Sequence, residues 1–182
     1  MLIRTGGGRF TQDVDLARET PWTSPEDALS ELRQLSSRPH HGDPFEFDLH
    51  SVTTTPIENH LADKVCALYE RHGQDGDKAS NRYRDLADIV RIVAEIPFDA
   101  ARLTTVLQRE AGRRRLTLPK KIQAPSEEWV LGFPRSAAGF AEYPREYWDL
   151  NAALTFCRTS LDEILTGERT SGTWHPHRYS WQ

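Results

Sequence analysis

The amino-acid sequence predicts an α+β protein, with a few strands in its first half and helices alone from Phe98 onward. Three observations carry that expectation. Asp13 to Leu16 and Phe45 to Leu49 alternate acidic with apolar residues, the period-two pattern of a strand. From Ile57 on, apolar residues recur instead at helical spacing, leaving one apolar face per segment. Pro97 then divides the chain into an N-terminal lobe, residues 1–97, and a helical C-terminal lobe, residues 98–182.

Each element has a local reason. In the first strand, Arg9 to Leu16, Asp13 and Asp15 fall on one side because successive side chains point to opposite faces. Pro21 to Ser24 form a turn. Ser24 then supplies a hydroxyl cap, Pro25 the first helical position and Glu26 and Asp27 the acids of a first turn, so a helix is expected to about Leu35. Phe45-Glu46-Phe47-Asp48-Leu49 is the second strand, again carrying carboxylates. After Pro56, Ile57, Leu61, Lys64, Val65 and Leu68 share one face of a helix that ends near Gly73. Gly73 to Lys78 is a polar loop. A helix from about Asn81 to Glu95 buries Leu86, Ile89, Val90 and Val93 and is stopped by Pro97. Asp99 caps the next, with a stripe of Leu103, Val106 and Leu107. Glu127 to Tyr143 is Gly- and Pro-punctuated, with one or two brief helices. The last helix carries Leu150, Leu154, Cys157, Leu161 and Ile164, with Gly167 as its C-terminal cap. The tail through Trp174, Pro176 and Trp181 is irregular but aromatic, and is expected to fold back on the body.

Composition narrows the function classes. A chain of 182 residues with 37% hydrophobic and 27% charged residues is long enough to bury a core without disulfide staples. Its apolar runs are too short to span a bilayer and its N-terminus lacks a secretory core, so the expected location is cytoplasmic, with no membrane partner. The two cysteines, Cys66 and Cys157, lie among apolar residues without metal-ligand spacing and read as reduced core residues. A net charge of −4 means that RNA contact must come from a local basic surface. Arg109, Arg113, Arg114, Arg115, Lys120 and Lys121 supply one in outline, although basic residues also gather at helix C-termini to complement the dipole. Seven histidines raise a metal hydrolase using His40, His41, His50, His60 or His72 with Asp63, but no H-E-x-x-H motif or His-Asp pair appears, and solvated histidines account for them.

The candidate chemistry rests on carboxylates. Asp13 and Asp15, held side by side, repel each other unless a divalent cation lies between them, and Mg²⁺ commonly takes one or two carboxylates with water and phosphate oxygens. A solvated edge strand is the plain alternative. Lys64, on an apolar stripe, is costly unless its ammonium faces an anion, and a phosphate would serve. Asp85 and Asp88 stand one helical turn apart, and Asp85, in line with Ile89 and Ile92, is expected to point inward, where it needs a cation or a donor.

In order, R-x-T-x-D-V-D-L (Arg9 to Leu16), I-E-x-x-L-A-D-K (Ile57 to Lys64) and R-Y-R-D-L-A-D-I (Arg82 to Ile89) resemble the motifs of the AbiEii family of nucleotidyltransferase toxins, its MenT-like members included. The resemblance implies a nucleotidyltransferase-like fold of the polymerase beta type, a small mixed sheet with helices followed by a C-terminal helical bundle. It implies a nucleoside triphosphate substrate with Mg²⁺, release of pyrophosphate, an RNA acceptor, in several members the 3′ end of tRNA, and a cognate antitoxin. By position, Asp13 and Asp15 match the metal-binding pair, with Asp48 the additional strand carboxylate and Glu46 second to it. Lys64 matches the triphosphate lysine, with Arg9 and Thr11 also on the nucleotide. Asp85 matches the acid of the last motif, as a base, an orienter of the hydroxyl or a positioner of Lys64. Arg113, Arg114, Arg115, Lys120 and Lys121 are the expected RNA contacts.

The paired small residues that precede Asp-x-Asp in the family have no counterpart at the expected spacing, since Gly6-Gly7-Gly8 stands too near Asp13. The interval to the lysine helix is also short. A shortened or catalytically inactive homologue that binds antitoxin or RNA is therefore the second expectation beside the enzyme.

Overall fold

The structure is a computed structural model that describes residues 24–36, 55–74, 76–140 and 143–182. The chain divides into two compact units, Met1–Thr54 and Thr55–Gln182. In the first, helix α1 (Pro25–Ser36) begins as its sequence dictates: the Ser24 hydroxyl accepts from the Asp27 amide at 3.1 Å, and Glu26 and Asp27 occupy the first turn. The strands expected around Asp13 to Leu16 and Phe45 to Leu49 lie outside the described residues.

The second unit contains α2 (Ile57–Tyr69), α3 (Tyr83–Glu95), α4 (Ala100–Arg114), α5 (Trp129–Ala137) and α6 (Leu150–Thr166). Helix α2 packs on α3 and α4, and α3 also packs on α5 and α6. Their apolar stripes meet in one core: Leu61, Val65 and Leu68 of α2, Leu86, Ile89, Val90 and Val93 of α3, Leu103 and Leu107 of α4, and Leu154, Cys157 and Leu161 of α6 are all buried. Helix α2 stops at Tyr69 and not at Gly73, because Glu70 already takes an extended conformation. The Arg71 side chain then holds the following loop through the carbonyls of Gly76 and Asp77. Capping follows the sequence elsewhere. The Asp99 carboxylate accepts from the Arg102 amide at 2.8 Å, and Gly167, with φ of 78°, ends α6 in the left-handed region that glycine enters without strain.

The expectation of helices alone beyond Phe98 is wrong, and so is that of an irregular tail. Strands β1 (Phe98–Asp99), β2 (Thr173–His175) and β3 (Ser180–Trp181) form an antiparallel sheet in that order, with Phe98 opposite Trp174 and Trp174 opposite Trp181. The physical reason is aromatic packing between remote segments. Phe98, Trp174 and Trp181 form a ring cluster with centroids 5.4 to 6.2 Å apart, and the Trp174 indole N–H donates to the Val93 carbonyl at 2.8 Å. Folding the tail back satisfies its backbone groups in a ladder and buries Trp174 completely.

Both cysteines are free and buried, as expected. Burial pushes the Cys66 thiol up to about 11 and raises that of Cys157 as well. Among the described residues no helix is long and apolar enough to cross a membrane.

Candidate active site

The site grows from the packing of α2 on α3. Leu61, Val65 and Leu68 pin α2 to the core, which leaves Lys64 at the edge of the buried stripe with a quarter of its side chain exposed (24%). On α3, Leu86, Ile89 and Val93 face the core, and the same helical phase turns Asp85 inward, its side chain only 7% exposed. The two helices thus bring Lys64 and Asp85 together. The ammonium lies 2.7 Å from Asp88 Oδ2 and 3.6 Å from Asp85 Oδ1, and the Arg82 Nε–H donates to Asp85 Oδ2 at 2.5 Å. Charge alternates along Arg82, Asp85, Lys64 and Asp88. A buried carboxylate between two cations avoids the desolvation cost that an unpaired one would carry, and the inward aspartate finds its cation as the pattern required. Two anions face Lys64, the hydrogen-bonded Asp88 carboxylate and, farther off, that of Asp85.

Neighbouring Asp63 points the other way. It pairs with Arg114, whose guanidinium also reaches Glu70 at 3.1 Å and Glu110 at 2.7 Å, so the end of α4 is locked onto α2. Glu110 is further bound by Arg113, and those hydrogen bonds, with Arg114 second among the cations, lower its carboxyl to about 2. Arg113 and Arg114 are thus engaged with carboxylates of this chain, whereas Arg109, Arg115, Lys120 and Lys121 are exposed. The segment bearing the two lysines is clipped to the core just beyond them. The Ile122 amide donates to Asp162 at 2.8 Å, and the Tyr69 hydroxyl both donates to the Gln123 carbonyl and accepts from its amide.

Beside Asp85 opens a cleft of about 340 Å³, formed by Asn81 and the first turn of α3 on one side and by Ser136 and Phe140 on the other. Arg84 lies over the Phe140 ring, 5.5 Å from its centroid. Tyr83 fits edge-on against Trp129, whose indole N–H is held by the Ser80 carbonyl at 2.7 Å, and this sets the position of the first turn of α3.

Asp13, Asp15, Asp48, Glu46, Arg9 and Thr11 lie outside the described residues. Among the described residues no group of three His, Cys, Asp or Glu side chains could hold a metal ion, and Asp85 and Asp88 are engaged by Lys64 and Arg82. Sequence reasoning did not single out Asp88 as the nearest partner of Lys64, nor the Arg84 and Phe140 pair. The i, i+3 spacing of Asp85 and Asp88 was the available signal for the first; the second joins residues from separate elements and left none.

A protein-family model described as nucleotidyl transferase AbiEii toxin, type IV TA system, matches residues 38–155. No curated protein and no solved structure matches the chain.

Proposed function

The chain belongs to the AbiEii family of nucleotidyl transferase toxins of type IV toxin–antitoxin systems, and from that membership we propose that it transfers nucleotides from a nucleoside triphosphate to RNA, the acceptor being the 3′ end of tRNA. Family membership implies a cognate antitoxin that holds this activity in check. The observation that carries the reading is the pairing of Lys64 with the buried Asp85 at the accessible edge of the α2–α3 interface. An ammonium so placed offsets charge on a polyphosphate, and a carboxylate fixed beside it can accept a proton.

In this proposal Asp13 and Asp15, with Asp48, hold Mg²⁺, which supplies charge neutralisation at the phosphate oxygens. Arg9 and Thr11 contact the nucleotide. Asp85 orients the attacking 3′ hydroxyl and takes its proton as the oxygen bonds to the α-phosphorus; the bond from that phosphorus to the bridging oxygen breaks and pyrophosphate departs. Lys64 stabilises the charge that develops on the departing group. The exposed Arg115, Lys120 and Lys121, with the partly engaged Arg113 and Arg114, attract the RNA backbone.

The test is transfer of label from each nucleoside triphosphate to tRNA with Mg²⁺ present. Labelled RNA is expected with the unaltered protein, and Asp15→Ala, Lys64→Ala or Asp85→Asn should lower the rate by about 100-fold or more, the order expected for loss of one charge-stabilising or proton-transferring group. Binding of tRNA without any transfer would overturn the enzyme and leave a module that docks RNA or antitoxin.

A further inference from the structure

We propose that the cleft at the start of α3 seats one nucleotide unit, with its base stacked on Phe140 and its phosphate on Arg84. The proposal deepens the transferase reading and rests on it for the nature of the ligand. Five observations converge on this place. The cleft, about 340 Å³, is open to solvent, so a ligand enters it freely and leaves one side uncovered. One wall is aromatic, and a base stacks on an aromatic face whatever its identity. The guanidinium of Arg84 lies over that ring at 5.5 Å, so a base reaches the π-face by displacing it, and the displaced cation stands beside the ligand's phosphate. Unlike Arg82, whose Nε–H is spent on Asp85, Arg84 is exposed and has no carboxylate partner among the ion pairs of the described residues. Asp85 itself borders the cleft, so whatever occupies it lies against the carboxylate that Lys64 and Arg82 hold in place.

Both the 3′-terminal nucleotide of an RNA and the incoming nucleoside triphosphate present a base with an anionic phosphate. The seat is therefore tested with two probes on the full chain: a fluorescein-labelled single-stranded RNA hexamer with a free 3′ hydroxyl, followed by anisotropy, and radiolabelled nucleoside triphosphate, followed by equilibrium dialysis. Arg84→Ala and Phe140→Ala should each weaken the same probe by about 10-fold or more, and Phe140→Tyr, which keeps the ring, should bind as the unaltered protein does. For the RNA probe, Arg84→Ala should also reduce the salt dependence of binding by about one phosphate contact. Weakening of the RNA assigns the seat to the acceptor; weakening of the triphosphate assigns it to the incoming nucleotide. Arg84 is on the surface, so its substitution leaves the fold intact and keeps the test valid if Phe140→Ala melts early. If neither variant moves either probe, or if Phe140→Tyr loses as much as Phe140→Ala, the proposal is overturned. Binding that depends on Arg84 and Phe140 in a protein without transfer activity upholds the seat and removes the transferase. Transfer with binding indifferent to both residues does the reverse.

Discussion

Glu110 shows how a single side chain can tie stability to pH. Hydrogen bonds from Arg113 and then Arg114 hold its carboxyl near 2, below the ordinary value of 4.5. A folded-state value below the unfolded one means that the stabilisation is complete above about pH 4.5 and is lost as the pH falls towards 2. Urea unfolding of the unaltered protein and of Glu110→Gln across this range should therefore show a gap in midpoint at neutral pH that closes on acidification; a gap independent of pH would contradict the assignment. The sequence showed an arginine-rich helix end and could not show which carboxylates answer it. Glu110 lies one turn before Arg113 and Arg114, but Asp63 and Glu70 reach Arg114 only because α2 packs on α4. Lys64 illustrates the same limit. Its place on an apolar stripe demanded an anion, and the helix pairing chose Asp88 and Asp85.

The position of α3 depends on a close approach between elements. Gly132 of α5 faces the Tyr83 hydroxyl so closely that a Cβ at this position would overlap the oxygen and the ring carbon that bears it. Gly132→Ala should thus displace Tyr83 and the first turn of α3, at a cost of about 1–3 kcal/mol, read as a lower denaturation midpoint. Tyr83→Ala, which deletes both the oxygen and the ring carbon in the way, should leave Gly132→Ala with little further cost in the double variant, and an undiminished further loss would place the strain elsewhere. None of this was visible along the chain. The helices were legible from their apolar periods and their caps, as Ser24, Asp99 and Gly167 show, whereas a glycine inside a nine-residue helix that also contains Pro134 reads only as a weak helix former.

Over the unit Thr55–Gln182 as a whole, the C-terminal tail is part of the core. Trp174 is fully buried, bonded to the Val93 carbonyl and packed with Phe98 and Trp181. Trp174→Ala removes a large buried side chain and should cost about 3–5 kcal/mol. Thermal unfolding followed by circular dichroism is expected to show one cooperative transition at markedly lower temperature; an unchanged midpoint would mean that the tail is not integral to the unit. Antiparallel pairing of β1 with β2 joins residues more than seventy positions apart, a closure that no local pattern announces.

What the amino-acid sequence determined alone was the local and the familial: which segments are helical, which residues cap them, that Cys66 and Cys157 are buried thiols, and that the chain belongs to the AbiEii family, whose model matches residues 38–155. Those properties follow from spacing within one turn or from residue identities kept in order. The tertiary structure alone decided the partners of Lys64, the commitment of Arg114 to three carboxylates, the sheet built from Phe98 and the tail, and the cleft between Arg84 and Phe140. Each depends on the rotation and approach of segments distant along the chain, and a period of hydrophobic residues specifies which face is buried without specifying what it is buried against.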